Sequence, residues 1–299
     1  MLSAFYLVVR GQVVLAGKDP DGDSVRFLPE DRDAYRVLQR GGGIRPARDG
    51  SVQARLEGVD APELRYGGQA QPLGREARDA FLWSLGFIDL EFDPAQPTRV
   101  VHAVPASVPA ALLCQPLAIN GRPIAYLTVD PDAVPVAGGD RVLVDEALLE
   151  RTVNLRLVEE GWAYYTAYTS TPATHHRRLR TAASAARAVG RGVWARDVSA
   201  GFTLDGRHSI GPEGALILPK LFRRCTDYLT DAACGYQGNL TDWLTRHTPA
   251  TRNRDDRVVI RYVKQARLSD LIVHRESSVA FRADPLDLAF SPTSGRDFG

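Results

Sequence analysis

The chain has 299 residues, of which 44% are hydrophobic and 24% charged, with 37 Lys and Arg against 36 Asp and Glu. This length predicts one large domain or two of ordinary size, and the composition excludes a disordered chain. The net charge of +1 argues against a dominant polybasic surface, and no apolar run approaches the ~20 residues that span a membrane.

The first 130 residues alternate short apolar runs with turns rich in Gly and Asp. Runs within 6–28 predict strands separated by such turns, and a further strand is predicted over 52–59. Shorter strands are predicted over 88–92 and 123–129. Because strands and helices do not alternate in a βαβ pattern, the sequence favours a small β-barrel over a parallel sheet.

Three helices are predicted in the first 200 residues. The first covers 74–83, where apolar residues recur at the spacing of one helical face. The second covers 153–160 and stops at Gly161. The third covers 172–189 and ends at the glycines that follow, as a helix C-cap does.

The pattern of helix-like and strand-like runs changes near residue 200. Residues 201–299 are therefore predicted to form a second, small α+β unit of unknown role. Its helix-like runs are 218–229 and 239–244, and its strand-like runs are 257–263, 270–275 and 278–283. We treat 1–200 and 201–299 as two predicted domains.

The three cysteines indicate neither a disulfide framework nor a zinc site, because their number is odd and no CxxC spacing occurs. A pairing of Cys225 with Cys234 stays open. The apolar run at 2–9 has no cationic residue before it and no convincing cleavage site after it, which argues against a signal peptide. The expected location is therefore the cytoplasm, without a membrane partner.

Acidic residues and arginines are concentrated in three short stretches, 19–27, 54–63 and 120–127. The first has carboxylates at alternate positions, but an EF-hand needs Gly at the sixth position, where this chain has Ser24. Two carboxylates at a strand exit, near a second acidic turn, are the oxygen ligands of a hard cation. A plain Asp-Gly turn and a surface salt-bridge network remain alternatives for these residues taken one at a time.

Taken in order, the motifs resemble the staphylococcal nuclease family over about residues 5–196. The matching residues are Asp21-Gly22-Asp23-Ser24-Val25, Arg55-Leu56, Val59-Asp60-Ala61-Pro62-Glu63, Gly74, Glu76-Ala77, Leu90-Glu91-Phe92-Asp93, Gly121-Arg122, Ala125-Tyr126, Val153-Asn154, Leu157-Val158, Gly161, Ala163, Thr174-His175, Leu179 and Trp194. The resemblance implies a mainly β, α+β fold: a five-stranded OB-fold barrel with three helices, followed in this chain by the C-terminal α+β unit.

The resemblance also implies a function, the Ca²⁺-dependent hydrolysis of DNA or RNA that leaves 3′-phosphates. Arg55 and Arg122 would hold the scissile phosphate, and Glu63 would position or deprotonate the attacking water. The Ca²⁺ ligands would be Asp23 and Asp60, with Asp21 nearby and the carbonyl of Ala61 as a third protein ligand. Tyr168 is the preferred candidate for stacking on the substrate, with Tyr164 and Tyr165 as further candidates that core packing explains equally well.

The chemistry of phosphodiester hydrolysis accounts for these residue types. Negative charge grows on a group that is already anionic, so positioned cations must neutralise its oxygens. The planar guanidinium of Arg can bond two phosphate oxygens and stays charged. An ionised Glu within hydrogen-bond reach can accept a proton from water, and a hard cation lowers the pKa of such a water.

The chain also departs from the family pattern. Its spacings predict insertions near 29–50, 94–118 and 130–152, and two of these bracket Arg122, where they are expected to cover or reshape the cleft. Ile119-Asn120 stands where the family has Lys-Tyr, which removes a contact with a terminal phosphate. The competing hypothesis is a catalytically silent barrel that serves as a nucleic-acid or protein binding module.

Further charged residues lie outside the motifs. His175 and His176 open the third predicted helix, where surface or capping roles are expected. Two groups of arginines are candidates for contact with a nucleic-acid backbone, although solvated faces account for them as well. They are Arg177, Arg178, Arg180 and Arg187 on the third predicted helix, and Arg223, Arg224, Arg252, Arg254 and Arg257 in the C-terminal unit.

Overall fold

The computed structural model describes residues 5–116, 118–119, 121–246, 254–261 and 263–291. Its helices and strands in chain order are β1 Phe5–Val14, β2 Ser24–Pro29, β3 Val52–Leu56, β4 Val59–Asp60, α1 Gly74–Ser84, β5 Asp89–Asp93, β6 Gln96–Val104, β7 Ser107–Cys114, β8 Ile124–Thr128, β9 Arg141–Leu143, α2 Glu146–Leu149, α3 Val153–Glu159, β10 Tyr164–Tyr165, β11 Ala167–Tyr168, α4 Ala173–Ala188, β12 Gly201–Thr203, α5 Pro219–Ala233, α6 Leu240–Thr245, β13 Arg257–Ile260, β14 Lys264–Arg267, β15 Ile272–Arg275, β16 Ser278–Phe281 and β17 Leu288–Phe290.

Five strands close into a barrel in the order β1–β2–β3–β8–β7, with β7 returning to β1. The neighbours are antiparallel except β3 and β8, which run parallel. This closed barrel is compatible with an OB-fold and confirms the predicted fold class, an α+β protein built on a five-stranded barrel. Strand β9 pairs with β1 outside the closed ring.

The helices of the first 200 residues cover the barrel with the apolar faces that the sequence predicts. Helix α1 buries Ala77 and Phe81, which lie four residues apart and therefore on one face. Helix α4 buries Leu179 and Ala183 at the same spacing. These side chains and the barrel interior form one apolar core, so burial of these faces explains why the three predicted helices occur where they do.

The stretch 94–118, predicted as an insertion, carries a strand of the barrel itself. Strand β7 pairs with β1 over eight residue pairs, from Leu7 opposite Cys114 to Val14 opposite Ser107. Only β6 is extra to the barrel, as it forms a separate two-stranded hairpin with β5. The Pro and Ala residues of this stretch favour a loop, but burial of most of β7 in the core overrides that local preference.

The other two predicted insertions add small elements to the barrel. Residues 29–50 form two 3₁₀ turns, and Tyr35 and Leu38 enter the main core from them. This segment also reaches the chain before Arg122: the Gln39 N–H donates to the Pro116 carbonyl. Residues 130–152 contain β9 and the short helix α2. The first insertion therefore packs beside one predicted site residue.

The C-terminal residues form the predicted α+β unit around a second apolar core. The core includes Phe222 of α5 and Trp243 of α6, and a sheet β12–β16–β15 lies against it. It is not separate from the first 200 residues, since Tyr164 and Val193 also belong to it. Strand β17 pairs in parallel with β11, which joins the two parts through a shared sheet.

The three cysteines are free, so Cys225 and Cys234 do not form the disulfide that the sequence left open. Cys114 and Cys225 are buried, and Cys234 is exposed. Among the helices of the described residues, none has the length and apolar character needed to cross a membrane.

Candidate active site

Strand pairing in the barrel brings three of the predicted site residues to one end. Ser24 lies opposite Arg55 in the β2–β3 pair, and the Leu56 N–H donates to the carbonyl of Asp23 at 2.9 Å. In the parallel β3–β8 pair, Arg55 lies opposite Ile124. Arg122 comes two residues before β8 begins, so it enters at the same end as Arg55.

The predicted acids form an acidic cluster, by which we mean Asp21, Asp23, Asp60 and Glu63. The guanidinium of Arg55 joins two of them, with Nη1 donating to Asp23 at 2.7 Å and Nη2 to Asp60 at 2.7 Å. The second oxygen of Asp23 accepts the N–H of Ala61 at 3.1 Å. Residues from two separate motifs, 19–27 and 54–63, thus meet in one hydrogen-bonded group.

The main chain of Glu63 is held on both sides by Gln71. The Gln71 side-chain carbonyl accepts the N–H of Glu63 at 3.0 Å, and the Gln71 N–H donates to the carbonyl of Glu63 at 2.8 Å. Helix α1 begins against this segment at Gly74, where a Cβ would lie 2.7 Å from the Glu63 carbonyl oxygen. A glycine is therefore required at this start of α1 for the close approach.

A residue from the C-terminal unit completes the cluster. Arg223 of α5 donates to both oxygens of Asp60, at 3.1 Å from Nη1 and 2.8 Å from Nη2. Its Nη1 also donates to Glu63 Oε1. The sequence indicated Arg223 only as one of several arginines that could contact a nucleic-acid backbone, because 160 residues separate it from Glu63 and no motif connects them.

Burial and these guanidinium groups set the proton affinities of the acids. Burial alone would raise the pKa of Asp60, but the charges of Arg223 and Arg55 hold it below its usual value. Burial raises the pKa of Asp23 to about 6, although Arg55 opposes the shift. Burial likewise raises the pKa of Glu63 to about 7 against the effect of Arg223. For Asp21, burial again raises the pKa.

Arg122 faces a pocket of about 110 Å³ beside the cluster. Arg55, Lys220 of α5 and Tyr168 also line this pocket, as does Ile119. Lys220 donates to Asp256 at 3.2 Å, but within the described residues the guanidinium of Arg122 has neither a hydrogen bond nor an ion pair. Burial, followed by the charge of Arg55, lowers the pKa of Arg122. Arg122 therefore gives the pocket a positive charge that no acid of the described residues neutralises, which suits the pocket to an anion.

The three candidate tyrosines lie in different surroundings. Tyr168 lines the pocket, whereas Tyr164 and Tyr165 are buried. The Tyr164 hydroxyl donates to Asp197 at 2.9 Å and its ring packs edge-on against Trp194. Of the three, Tyr168 alone lines the pocket, and the positions of Tyr164 and Tyr165 agree with core packing, the alternative that the sequence left open.

The additional charged residues are mostly engaged within the protein. Most of the candidate arginines form an ion pair with an Asp or Glu, namely Arg178, Arg180, Arg187, Arg223, Arg224 and Arg254. Arg252 lies outside the described residues. His175 is buried, and its ring contacts the Tyr126 hydroxyl and the Val144 carbonyl, which corrects the expected surface position.

The acidic cluster, as arranged, does not fit a Ca²⁺ ion. All four carboxylate oxygens of Asp23 and Asp60 accept N–H donors, which come from Arg55, Ala61 and Arg223. Correspondingly, the described part of the chain contains no group of three or more His, Cys, Asp and Glu residues arranged to hold a metal ion. The guanidinium of Arg223 contacts the carboxylates to which the resemblance assigns Ca²⁺.

The sequence matches no protein-family model and no curated protein. The resemblance to the staphylococcal nuclease family consequently depends on the ordered motifs and on a barrel that is compatible with the OB-fold.

Proposed function

We propose that this chain hydrolyses phosphodiester bonds of nucleic acid, with DNA and RNA both open as substrates. The observation that carries the proposal is the meeting of residues from distant motifs. Arg55 links Asp23 to Asp60, Glu63 is tied to Asp60 through a shared guanidinium, and Arg122 shares a pocket with Arg55. A surface salt-bridge network gives no reason for Arg122, which is unpaired among the described residues, to lie in a recess.

Arg55 and Arg122 are suited to hold a phosphate from two sides. Arg55 uses two of its five N–H donors for Asp23 and Asp60, which fixes the plane of its guanidinium and leaves donors for a ligand. Arg122 is not engaged by an acid of the described chain and lines the pocket. Two preorganised cations of this kind stabilise the charge that develops on the phosphate oxygens during hydrolysis.

Glu63 is the proposed acceptor of the proton from the attacking water. Its backbone is fixed by Gln71, and its side chain lies beside Asp60 through their common contact with Arg223. The water oxygen forms a bond to phosphorus as its proton passes to Glu63. The bond to the leaving 5′-oxygen breaks, that oxygen takes a proton from solvent, and the 3′-phosphate remains. Ca²⁺ dependence stays a prediction from the resemblance. The steps described above are assigned to side chains of this chain and to water.

Degradation of plasmid DNA and of a labelled single strand, in Ca²⁺ and in EGTA, tests the proposal. We expect cleavage by the intact chain, and we expect Arg122→Ala to lower kcat by about 100-fold or more because the arginine acts mainly in the transition state. Arg75→Ala, an exposed position on α1, is the matched control and should keep full activity. Unchanged cleavage by Arg122→Ala would remove that residue from the mechanism.

The second candidate function is a phosphate-binding module without hydrolysis. The pairing of Glu63 with Arg223 favours it, because the Glu63 oxygen that accepts the guanidinium N–H is already occupied and does not face a water. Fluorescence anisotropy with the same labelled strand separates the two functions. Binding that depends on Arg122, without cleavage in either Ca²⁺ or EGTA, would support the module and contradict the enzyme.

A further inference from the structure

The position of Arg223 is set by a helix whose backbone is well anchored. Helix α5 buries Leu221, Phe222 and Cys225 in the second core. On the same helix, Arg224 donates to Asp256 at 2.8 Å, an acid that Lys220 also contacts. Arg223 therefore reaches the acidic cluster from a fixed backbone, and only its long side chain is free to change position.

The side chain of Arg223 occupies the carboxylate oxygens on the side of the acidic cluster that it faces. It donates to both oxygens of Asp60 and to Glu63, and the Asp60 side chain is only 1% exposed. Ca²⁺ binds oxygen ligands at about 2.3–2.6 Å and takes six to eight of them. Because the guanidinium nitrogens lie within hydrogen-bond distance of the same oxygens, the two cations cannot occupy this place together.

We propose that Arg223 acts as an intramolecular cation that occupies the cation position of the acidic cluster, so that a divalent ion binds there only after the Arg223 side chain withdraws. To bind there, a divalent ion must displace three hydrogen bonds from the Arg223 guanidinium to Asp60 and Glu63. Together these bonds are stronger than the single contact that a Lys would make. The guanidinium is tethered, so it competes at an effective concentration that does not depend on dilution.

Withdrawal requires that the side chain of Arg223 reach solvent. The Arg223 side chain is 20% exposed, so it borders solvent and is not enclosed. Arg55 remains paired with Asp23 and Asp60 when Arg223 leaves, so the carboxylates keep one guanidinium and their orientation. The exchange replaces one positive charge by two beside several carboxylates, and the electrostatic gain depends on how many of them are ionised.

Titration of the full chain with CaCl₂ in an isothermal calorimeter tests this inference without any substrate. We expect Arg223→Gln to bind Ca²⁺ at least about tenfold more tightly than the unaltered chain, because the competing charge is gone. Arg224→Gln makes the same charge change one residue further along α5 and should leave the affinity unchanged. Adding Asp60→Asn to Arg223→Gln should abolish the gain, which locates the ion at the cluster.

Arg223→Lys provides a second variant that keeps the charge but loses the fork, and we expect its affinity to lie between the two. Circular dichroism melts establish that each variant is folded. Equal Ca²⁺ affinity in the unaltered chain and in Arg223→Gln overturns the inference, as does the absence of binding to folded Arg223→Gln. Since no nucleic acid is present, these outcomes are independent of whether the chain cleaves phosphodiesters.

Discussion

Glu57 is a buried carboxyl group within the barrel that no sequence motif assigns to a role. Its Oε1 accepts the Tyr6 hydroxyl at 3.2 Å and the Gln115 side-chain N–H at 2.6 Å. Its Oε2 is buried without a hydrogen-bond partner in the described part of the chain. Burial raises the pKa of Glu57 to about 8, which means that the folded protein holds this side chain protonated at neutral pH.

This shift predicts a pH-dependent stability. The folded pKa of about 8 lies above the unfolded value of 4.5, so the folded chain binds the extra proton in between. The free energy of unfolding should therefore fall as pH rises from about 5 to 8, by about 1.4 kcal/mol per unit from this group alone. Urea denaturation at several pH values measures the slope.

Glu57→Gln tests the assignment, because the amide preserves the acceptor oxygen but cannot ionise. We expect its slope between pH 5 and 8 to be flatter than that of the unaltered chain. Glu30→Gln, at an exposed position, should keep the original slope. Parallel profiles for the unaltered chain and Glu57→Gln would show that another group is responsible.

At the residue scale, the sequence predicts those site residues that lie within a short motif. Asp23, Arg55, Asp60 and Glu63 lie in two short stretches, and the hydrogen bonds show that these stretches do meet. Arg223 could not be found in this way, because its contact depends on how α5 packs and not on local spacing. For the same reason, no spacing distinguishes Tyr168 in the pocket from its buried neighbours.

Asn154 connects helix α3 to the strands that carry the site arginines. Its side-chain carbonyl accepts the Leu127 N–H at 2.9 Å, and its amide donates to the carbonyls of Glu57 at 2.9 Å and Ala125 at 3.1 Å. The side chain is fully buried, so the three hydrogen bonds have no water to replace them. Asn154 thereby holds the end of β3 against β8.

Asn154→Ala should consequently lower the free energy of unfolding by about 3 kcal/mol or more, because its three hydrogen bonds to buried backbone groups are lost. Asn239→Ala is a suitable comparison, since Asn239 makes a single capping bond to the Asp242 N–H of α6 and should cost about 1 kcal/mol. Chemical denaturation gives both values. Equal losses in the two variants would mean that Asn154 does not connect these elements as described.

At the element scale, predictions succeed where a repeat is long and fail where tertiary burial decides. The apolar stripes of α1 and α4 span several turns, so their positions follow from periodicity alone. Strand β7 has one Pro and two Ala residues, which carry little strand preference. Its place in the barrel follows from its pairing with β1, which no local pattern contains.

At the scale of the whole molecule, the protein has two apolar cores, and each contains residues from both sides of position 200. Tyr164 and Val193 precede residue 200 but pack in the second core, and Leu286 follows it but packs in the first. Strand β17 of the C-terminal unit pairs with β11, and β11 is the strand that precedes helix α4 in the chain. The sequence predicts a domain boundary near residue 200, but composition does not show how tightly two regions dock.

Removal of residues 201–299 should therefore destabilise the remaining chain. The fragment 1–200 would expose Tyr164, Val193 and the open edge of β11, because their partners lie in the removed part. We expect a lower urea midpoint than for the full chain and binding of the dye ANS, which reports exposed apolar surface. Arg187→Gln is the control: it breaks the ion pair with Asp284, at 2.8 Å, and the contact of the guanidinium with the Trp194 ring, at 5.5 Å. A half-exposed ion pair of this kind contributes about 1 kcal/mol or less. A fragment with the midpoint of the full chain and no ANS binding would contradict the shared core, and with it the docking that brings Arg223 to Asp60.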